Sequence, residues 1–135
     1  MDRGVDGALA STHRLGVVAR PEIGHEIYQD RLCIPYLTRG GVVNLKFRCL
    51  QDHICNEVDC PKYMGLSLPT RIYNVSAFFQ DHLSIAICEG EFDAMLVNAH
   101  VLPAVSIPGV RNWKPFYDRC FTDYEKVFLF ADGDD

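Results

Sequence analysis

Apolar and polar positions alternate most cleanly between residues 31 and 49. Arg31–Leu37 (RLCIPYL) and Val42–Cys49 (VVNLKFRC) flank Thr38–Gly41 (TRGG), a glycine-bearing turn. Side chains alternate along a strand, so Val43, Leu45 and Phe47 share one face of the second segment and Asn44, Lys46 and Arg48 share the other. The pattern predicts a β-hairpin with one face packed and the other presenting two cations. Pro35 has no N–H to donate, which puts the first strand at an edge or next to a bulge.

Downstream the pattern changes. Leu50–Leu68 has no periodicity and reads as a loop, and Val75–His82 reads as a short helix. Ser84–Cys88 is a short continuous apolar run, the signature of a buried strand. Asp93–Val101 is apolar nearly all round and predicts a largely buried helix. Pro103–Ile107 predicts a second strand and Phe116–Asp123 a helix with Phe116, Tyr117, Cys120 and Phe121 on one side. Val127–Ala131 predicts a third strand. Strand–helix alternation with short connections implies a parallel sheet with right-handed crossovers. Met1–Arg20 is small and polar, with a short helix expected near His13–Val18. The expected class is therefore α/β: a parallel sheet with flanking helices, preceded by a small mixed α+β subdomain containing the hairpin. The expected divisions are a weakly ordered lead-in over 1–30, the hairpin subdomain over 31–83 and the parallel-sheet unit over 84–135.

Composition narrows the function classes. The chain has 135 residues, a net charge of −5 and 48% apolar residues, which suits a globular core and gives no global basic footprint. Any nucleic-acid surface must be a local patch. No apolar run approaches the ~18 residues of a membrane span. Met1–Ala10 lacks the apolar core of a secretory leader. The six cysteines are scattered, so a reduced, cytoplasmic protein is expected, with no membrane partner.

The strongest chemistry lies at two strand ends. Ser84–Cys88 runs into Glu89-Gly90-Glu91-Phe92-Asp93, and Val127–Ala131 runs into Asp132-Gly133-Asp134-Asp135. In a parallel sheet both strands deliver these acids to the same edge, where open α/β sheets bind ligands. Carboxylates that close oppose one another's ionisation unless a cation lies between them. Glu89, Asp93, Asp132 and Asp134 are thus candidate metal ligands, with Glu91 and Asp135 beside them. Lys46, Arg48, Lys62 and Arg71 stand near tyrosines, an interleaving that suits phosphates and bases. Arg111 and Lys114 read as surface charges. Cys49, His53, Cys55 and Cys60 lie close together in the aperiodic loop and are zinc ligands by residue type. Their Cys-x5-Cys and Cys-x4-Cys spacings are not the usual Cys-x2-Cys knuckle, so unliganded loop thiols, without zinc, are the expectation.

At these residues the sequence resembles the Toprim family, whose pattern is a strand ending in Glu-Gly with an Asp three residues after the Gly, then a later strand ending in Asp-x-Asp. Here these are Glu89-Gly90-Glu91-Phe92-Asp93 and Asp132-Gly133-Asp134. Upstream, the hairpin over Arg31–Arg48, Pro61-Lys62-Tyr63-Met64 and Arg71-Ile72-Tyr73-Asn74 resemble the RNA-polymerase domain of bacterial-type and phage DNA primases. The resemblance covers roughly Arg31 to Asp135. It implies a DNA primase making RNA primers on single-stranded DNA from NTPs, with Mg²⁺ or Mn²⁺. Glu89, Asp132 and Asp134 would be its catalytic carboxylates, and Lys46, Arg48, Lys62 and Arg71 its nucleic-acid and nucleotide contacts. It also implies a bacterial or phage-infected cytoplasm and a replicative helicase as partner. A Toprim domain continues past Asp-x-Asp with a helix and a strand, so a fragment, or one half of a split primase completed by a second polypeptide, is expected. The alternatives are a Toprim nuclease or topoisomerase-like protein, and an inactive module that binds metal or nucleic acid.

Overall fold

The structure, a computed structural model, describes residues 3–133. It contains two sheets. The first is antiparallel with order β1-β2-β3-β4, formed by β1 (Gly16–Val17), β2 (Leu32–Thr38), β3 (Gly41–Arg48) and β4 (Tyr63–Gly65). The second is parallel with order β6-β5-β7, formed by β5 (Ser84–Cys88), β6 (Ala104–Ser106) and β7 (Lys126–Phe130). The α/β class expected from the strand–helix pattern is therefore the class observed.

The hairpin forms where its alternation places it. Cys33 pairs with Phe47 and Ile34 with Lys46, and the register shifts between Tyr36 and Leu37. That shift comes one residue after Pro35, and β1 pairs only with Leu32 and Cys33, so the Pro35 end of β2 has no second neighbouring strand. Phe47 packs on the outer face, its ring 4.0 Å from that of Tyr28. The other face is not solvated. Ile34 and Tyr36 lie on it within a buried cluster with Tyr73, Ala86, Cys88, Phe92, Ala94 and Met95. Arg48 is buried there as well. The expected cationic face is thus the seam between the two sheets.

Two helices are observed among the described residues. α1 (Gly7–Thr12) lies ahead of the helix expected at His13–Val18, because the Asp6 carboxylate accepts the Leu9 N–H at 2.8 Å and starts the turn early. Leu9 and Leu15 pack against the main cluster, and the buried His13 Nδ1 lies 3.0 Å from the Tyr73 hydroxyl. α2 (Glu91–His100) buries Glu91, Phe92, Ala94 and Met95 and covers β5 and β6.

The helices expected at Val75–His82 and Phe116–Asp123 are instead 3₁₀ turns over Val75–Phe79 and Pro115–Cys120. Their aromatic residues fold onto one another rather than forming a helical stripe. Phe78 meets Phe121 at 5.4 Å and Trp113 meets Tyr117 at 5.8 Å. A backbone bridge from Tyr73 to Ser106 (N–H to O, 2.8 and 3.1 Å) joins the hairpin unit to the parallel sheet. Among the described residues no helix is long and apolar enough to cross a membrane.

Candidate active site and metal centre

β5 and β7 are direct neighbours, with Cys88 opposite Phe130. The residues that follow them therefore meet. The Glu89 carboxylate accepts the backbone N–H of Asp132 at 3.3 Å, across 43 positions of sequence. Asp93 stands in the first turn of α2, and its carboxyl is raised above the usual carboxylate range, first by burial and then by the nearby charge of Asp132. Gly90 makes this approach possible: a Cβ there would lie 2.9 Å from Asp93 Oδ2. Its φ of −114° is ordinary extended backbone, so space, not conformational freedom, is what the glycine supplies. Gly109 is different, with φ +84° at the turn after β6. Asp134 and Asp135 lie outside the described residues.

These acids line a cleft of about 320 Å³ with Arg3, Lys62, Tyr63, Phe92 and Gly109. Tyr63 also borders a neighbouring cleft of about 290 Å³, whose wall includes Lys46, Arg71 and Asn112. Lys62 and Arg71 are exposed. Arg48 is buried, with its guanidinium 5.2 Å from the centre of the Phe92 ring and 5.5 Å from that of Tyr63. Lys46 is placed differently. Its ammonium lies 2.7 Å from Glu91 Oε1, and the Glu91 carboxylate is 2% exposed. Glu91 thus turns away from the acid cluster beside it. Lys46 keeps 24% exposure, so losing Lys46 strands a buried charge whereas losing Glu91 returns the ammonium to the cleft. Arg111 and Lys114 are exposed, as expected.

The aperiodic loop corrects one expectation. The structure gathers Cys49, His53, Cys55 and Cys60 so that their ligand atoms all lie within 4.8 Å of one another. His53 Nε2 is 3.6 Å from Cys49 Sγ and 3.5 Å from Cys55 Sγ, and Cys60 Sγ is 3.6 Å from Cys49 Sγ. A tetrahedral zinc ion with sulfur at about 2.3 Å and nitrogen at about 2.05 Å imposes ligand–ligand edges of about 3.5–3.8 Å. The donor set and these edges fit zinc, which overturns the expectation of unliganded thiols without zinc. The spacing misled because two ligands, Cys49 and Cys60, are brought together by strand pairing: Cys49 N–H donates to the Lys62 carbonyl at 2.9 Å. Two donors point at the ligand sulfurs. The Gln51 N–H points at Cys49 Sγ (3.4 Å) and the Arg31 guanidinium at Cys60 Sγ (3.4 Å). The Gln51 bond is the main cause holding the Cys49 thiol below its ordinary value. Burial pushes the Cys55 thiol up.

Sequence reasoning left out Arg3 and Tyr63 as cleft residues and Arg31 as a neighbour of the thiols. Tyr63 had a signal, its place beside Lys62. Arg3 and Arg31 had none, since only the folded chain brings them to these sites.

No family model matches the chain. It is 33% identical over 115 residues to the gene 57 protein of Mycobacterium phage D29, covering 81% of this chain and 72% of that protein. Among solved structures it is similar to the zinc-binding and RNA polymerase domains of the Aquifex aeolicus primase (TM-score 0.76, 17% identity, 98% of this chain and 41% of that chain). It is also similar to the RNA polymerase domain of Mycobacterium tuberculosis primase DnaG (TM-score 0.71, 18% identity, 98% and 57%). A third match is a DnaG primase catalytic domain bound to single-stranded DNA (TM-score 0.69, 17% identity, 98% and 52%). The chain thus spans about half the length of the solved primase chains it matches. Sharing a third of its residues with the D29 protein across most of both chains, on a fold like that of DnaG primase catalytic domains, this chain belongs to the family of the phage gene 57 protein.

Proposed function

We propose that the chain is the primase-type Toprim part of a phage DNA primase, making RNA primers on single-stranded DNA from NTPs. The observation that carries this reading is the Glu89 carboxylate at the Asp132 amide, 3.3 Å away, in a cleft walled by Lys62 and Tyr63. Glu89, Asp93 and Asp132, with Asp134, hold a divalent cation. When bound, that ion neutralises the triphosphate and activates a 3′-hydroxyl. Glu89 is placed to orient the hydroxyl. Lys62 and Arg71 guide the strand past the acids, Arg48 backs the Tyr63 ring from within the seam, and Tyr63 offers that ring for base stacking. A salt-dependent affinity for single strands follows.

Cys49, His53, Cys55 and Cys60 hold zinc as a structural clip. Arg48 precedes Cys49 directly and Lys62 follows Cys60 by two residues, so the clip fixes the segment that carries both cations. β7 leaves room for a further polypeptide in the active enzyme. Val127, Phe128, Leu129 and Phe130 are all exposed at the sheet edge, Leu129 to 75%, and a partner that covers them would brace Asp132. A cytoplasmic location and coupling to a replicative helicase belong to the same reading.

The test is primer synthesis on a single-stranded template by the wild-type chain, alone and with such a completing polypeptide, against Glu89→Gln and Asp132→Asn. Wild-type yield from either variant would refute the carboxylate assignment. Strand cleavage in place of synthesis would favour the nuclease alternative.

A further inference from the structure

Glu91 is a buried acid that the mechanism above does not use. It is the first residue of α2, two positions after Glu89 and two before Asp93. Two residues along a helix turn the side chain by about 200°, so Asp93 lines the acidic cleft while Glu91 points into the seam. One oxygen, Oε1, receives two donors there, the Tyr36 hydroxyl at 2.6 Å and the Lys46 ammonium at 2.7 Å. Tyr36 and Lys46 come from paired strands. Ile34 is opposite Lys46 and Tyr36 is opposite Asn44, which makes Tyr36 and Lys46 diagonal neighbours on the face turned toward α2. The Lys46 ammonium also lies 4.6 Å from the centre of the Tyr63 ring on β4. A single carboxylate therefore reaches β2 and β3 directly, and through Lys46 it reaches the tyrosine shared by both clefts.

We infer that Glu91 is a positioning residue that locks the hairpin sheet onto the first turn of α2, consuming the charge of Lys46 and setting the Tyr63 wall opposite the acid cluster. An apolar side chain would fill the same space. Two hydrogen-bond donors meeting at one oxygen fix direction and register as well, the best-attested use of buried charge. The inference rests on the reading of the cleft as a single-strand site. It separates Lys46 from the other cations: Lys62 and Arg71 are open to phosphate, whereas Lys46 is already occupied.

The test uses the full, zinc-loaded chain with Lys46→Met and Glu91→Gln, singly and together, and Lys62→Ala for comparison. Thermal midpoints are measured, as is affinity for a 20-nucleotide oligo(dT) across salt concentrations. The double variant should melt no lower than the worse single one, because the pair acts as a unit. Lys62→Ala should flatten the dependence of log affinity on log salt by about 0.7, the loss of one phosphate contact. Lys46→Met should leave that dependence unchanged, and Glu91→Gln should steepen it by about 0.7 as the released ammonium finds a phosphate. In primer synthesis, Glu91→Gln should lower kcat about tenfold with KM for nucleotide unchanged, a loss of alignment rather than of binding. Additive melting losses, or a flattened salt dependence in Lys46→Met, would overturn the inference. Should Glu91→Gln not fold, Lys46→Met alone decides by its salt dependence. Failure of the wild type to bind the oligonucleotide would sink the reading of the cleft, and the melting cycle would still decide the lock.

Discussion

The Arg31 guanidinium lies 3.4 Å from the sulfur of Cys60 and also donates to the Pro61 carbonyl at 2.7 Å. A cation from the start of the hairpin thereby donates to a ligand sulfur at the far end of the loop. Zinc content should be one ion per chain by elemental analysis of protein purified without chelator. Cys60→Ser and Cys55→Ser should abolish it and lower the melting temperature, while Arg31→Met should weaken zinc by about 10–100-fold, the usual effect of losing an outer partner of a ligand. In the zinc-loaded chain, alkylation should reach the exposed Cys120 first and spare the cluster. Stoichiometric zinc in Cys60→Ser would refute the site.

The acid cluster carries a sharper expectation. Glu89→Gln and Asp132→Asn change charge but hardly change shape. Each should reduce primer synthesis by about 10²-fold or more, the scale lost when a metal-bearing group is removed from a transition state. Circular dichroism and melting temperature should stay near wild type. Both substitutions relieve like-charge repulsion, so a slight rise in melting temperature without divalent cation is the expected direction.

Gly90→Ala tests the space beneath Asp93. The new methyl would meet Asp93 Oδ2 at 2.9 Å, and that atom is the end of a rotatable side chain. The carboxylate should swing away instead of the backbone unfolding. The expected outcome is a melting temperature close to wild type with primer synthesis reduced about tenfold and a raised requirement for divalent cation. A large loss of stability with unchanged activity per folded molecule would contradict this account.

Alkaline pH should unfold the protein through its buried phenols. Burial, and then the charge of Glu91, raise both Tyr36 and Tyr73 above the ordinary tyrosine range. A raised folded value means that the neutral form is favoured in the fold. Its contribution is complete below the unfolded value of about 10 and is lost as pH climbs above it. Cys88 behaves likewise, with its thiol pushed up to about 11 by burial and then by Asp93. Absorbance titration at 295 nm should show Tyr36 and Tyr73 ionising last and together with loss of the far-ultraviolet signal. Early ionisation of Tyr36→Phe-sensitive absorbance in the folded protein would count against their burial.

The local code was strong enough to fix several elements from sequence. The alternation through Val43, Leu45 and Phe47 determined the hairpin, and the apolar run Ser84–Cys88 ending in Glu89-Gly90 determined the central strand and the helix after it. The two acid-bearing strand ends were legible for the same reason: parallel strands must deliver their following residues to one edge, and Glu89 and Asp132 do meet. These signals are carried by neighbours in sequence, where periodicity and turn chemistry act directly.

Tertiary structure decided what each charged or polar residue faces. Lys46 and Arg48 alternate like a solvated face, yet the first turn of α2 packs over them. Whether a strand face is wet depends on which other element the chain brings back, which no window of sequence contains. Glu91 sits between two candidate catalytic acids in sequence, and helix rotation sends it the other way. Cys49 and Cys60 are eleven residues apart in a loop without a knuckle motif, and the pairing of β3 with β4 closes them into one ligand set. Spacing along the chain measures distance only where the backbone path is regular; elsewhere long-range pairing sets it, and here that pairing gathered the Cys and His ligand atoms.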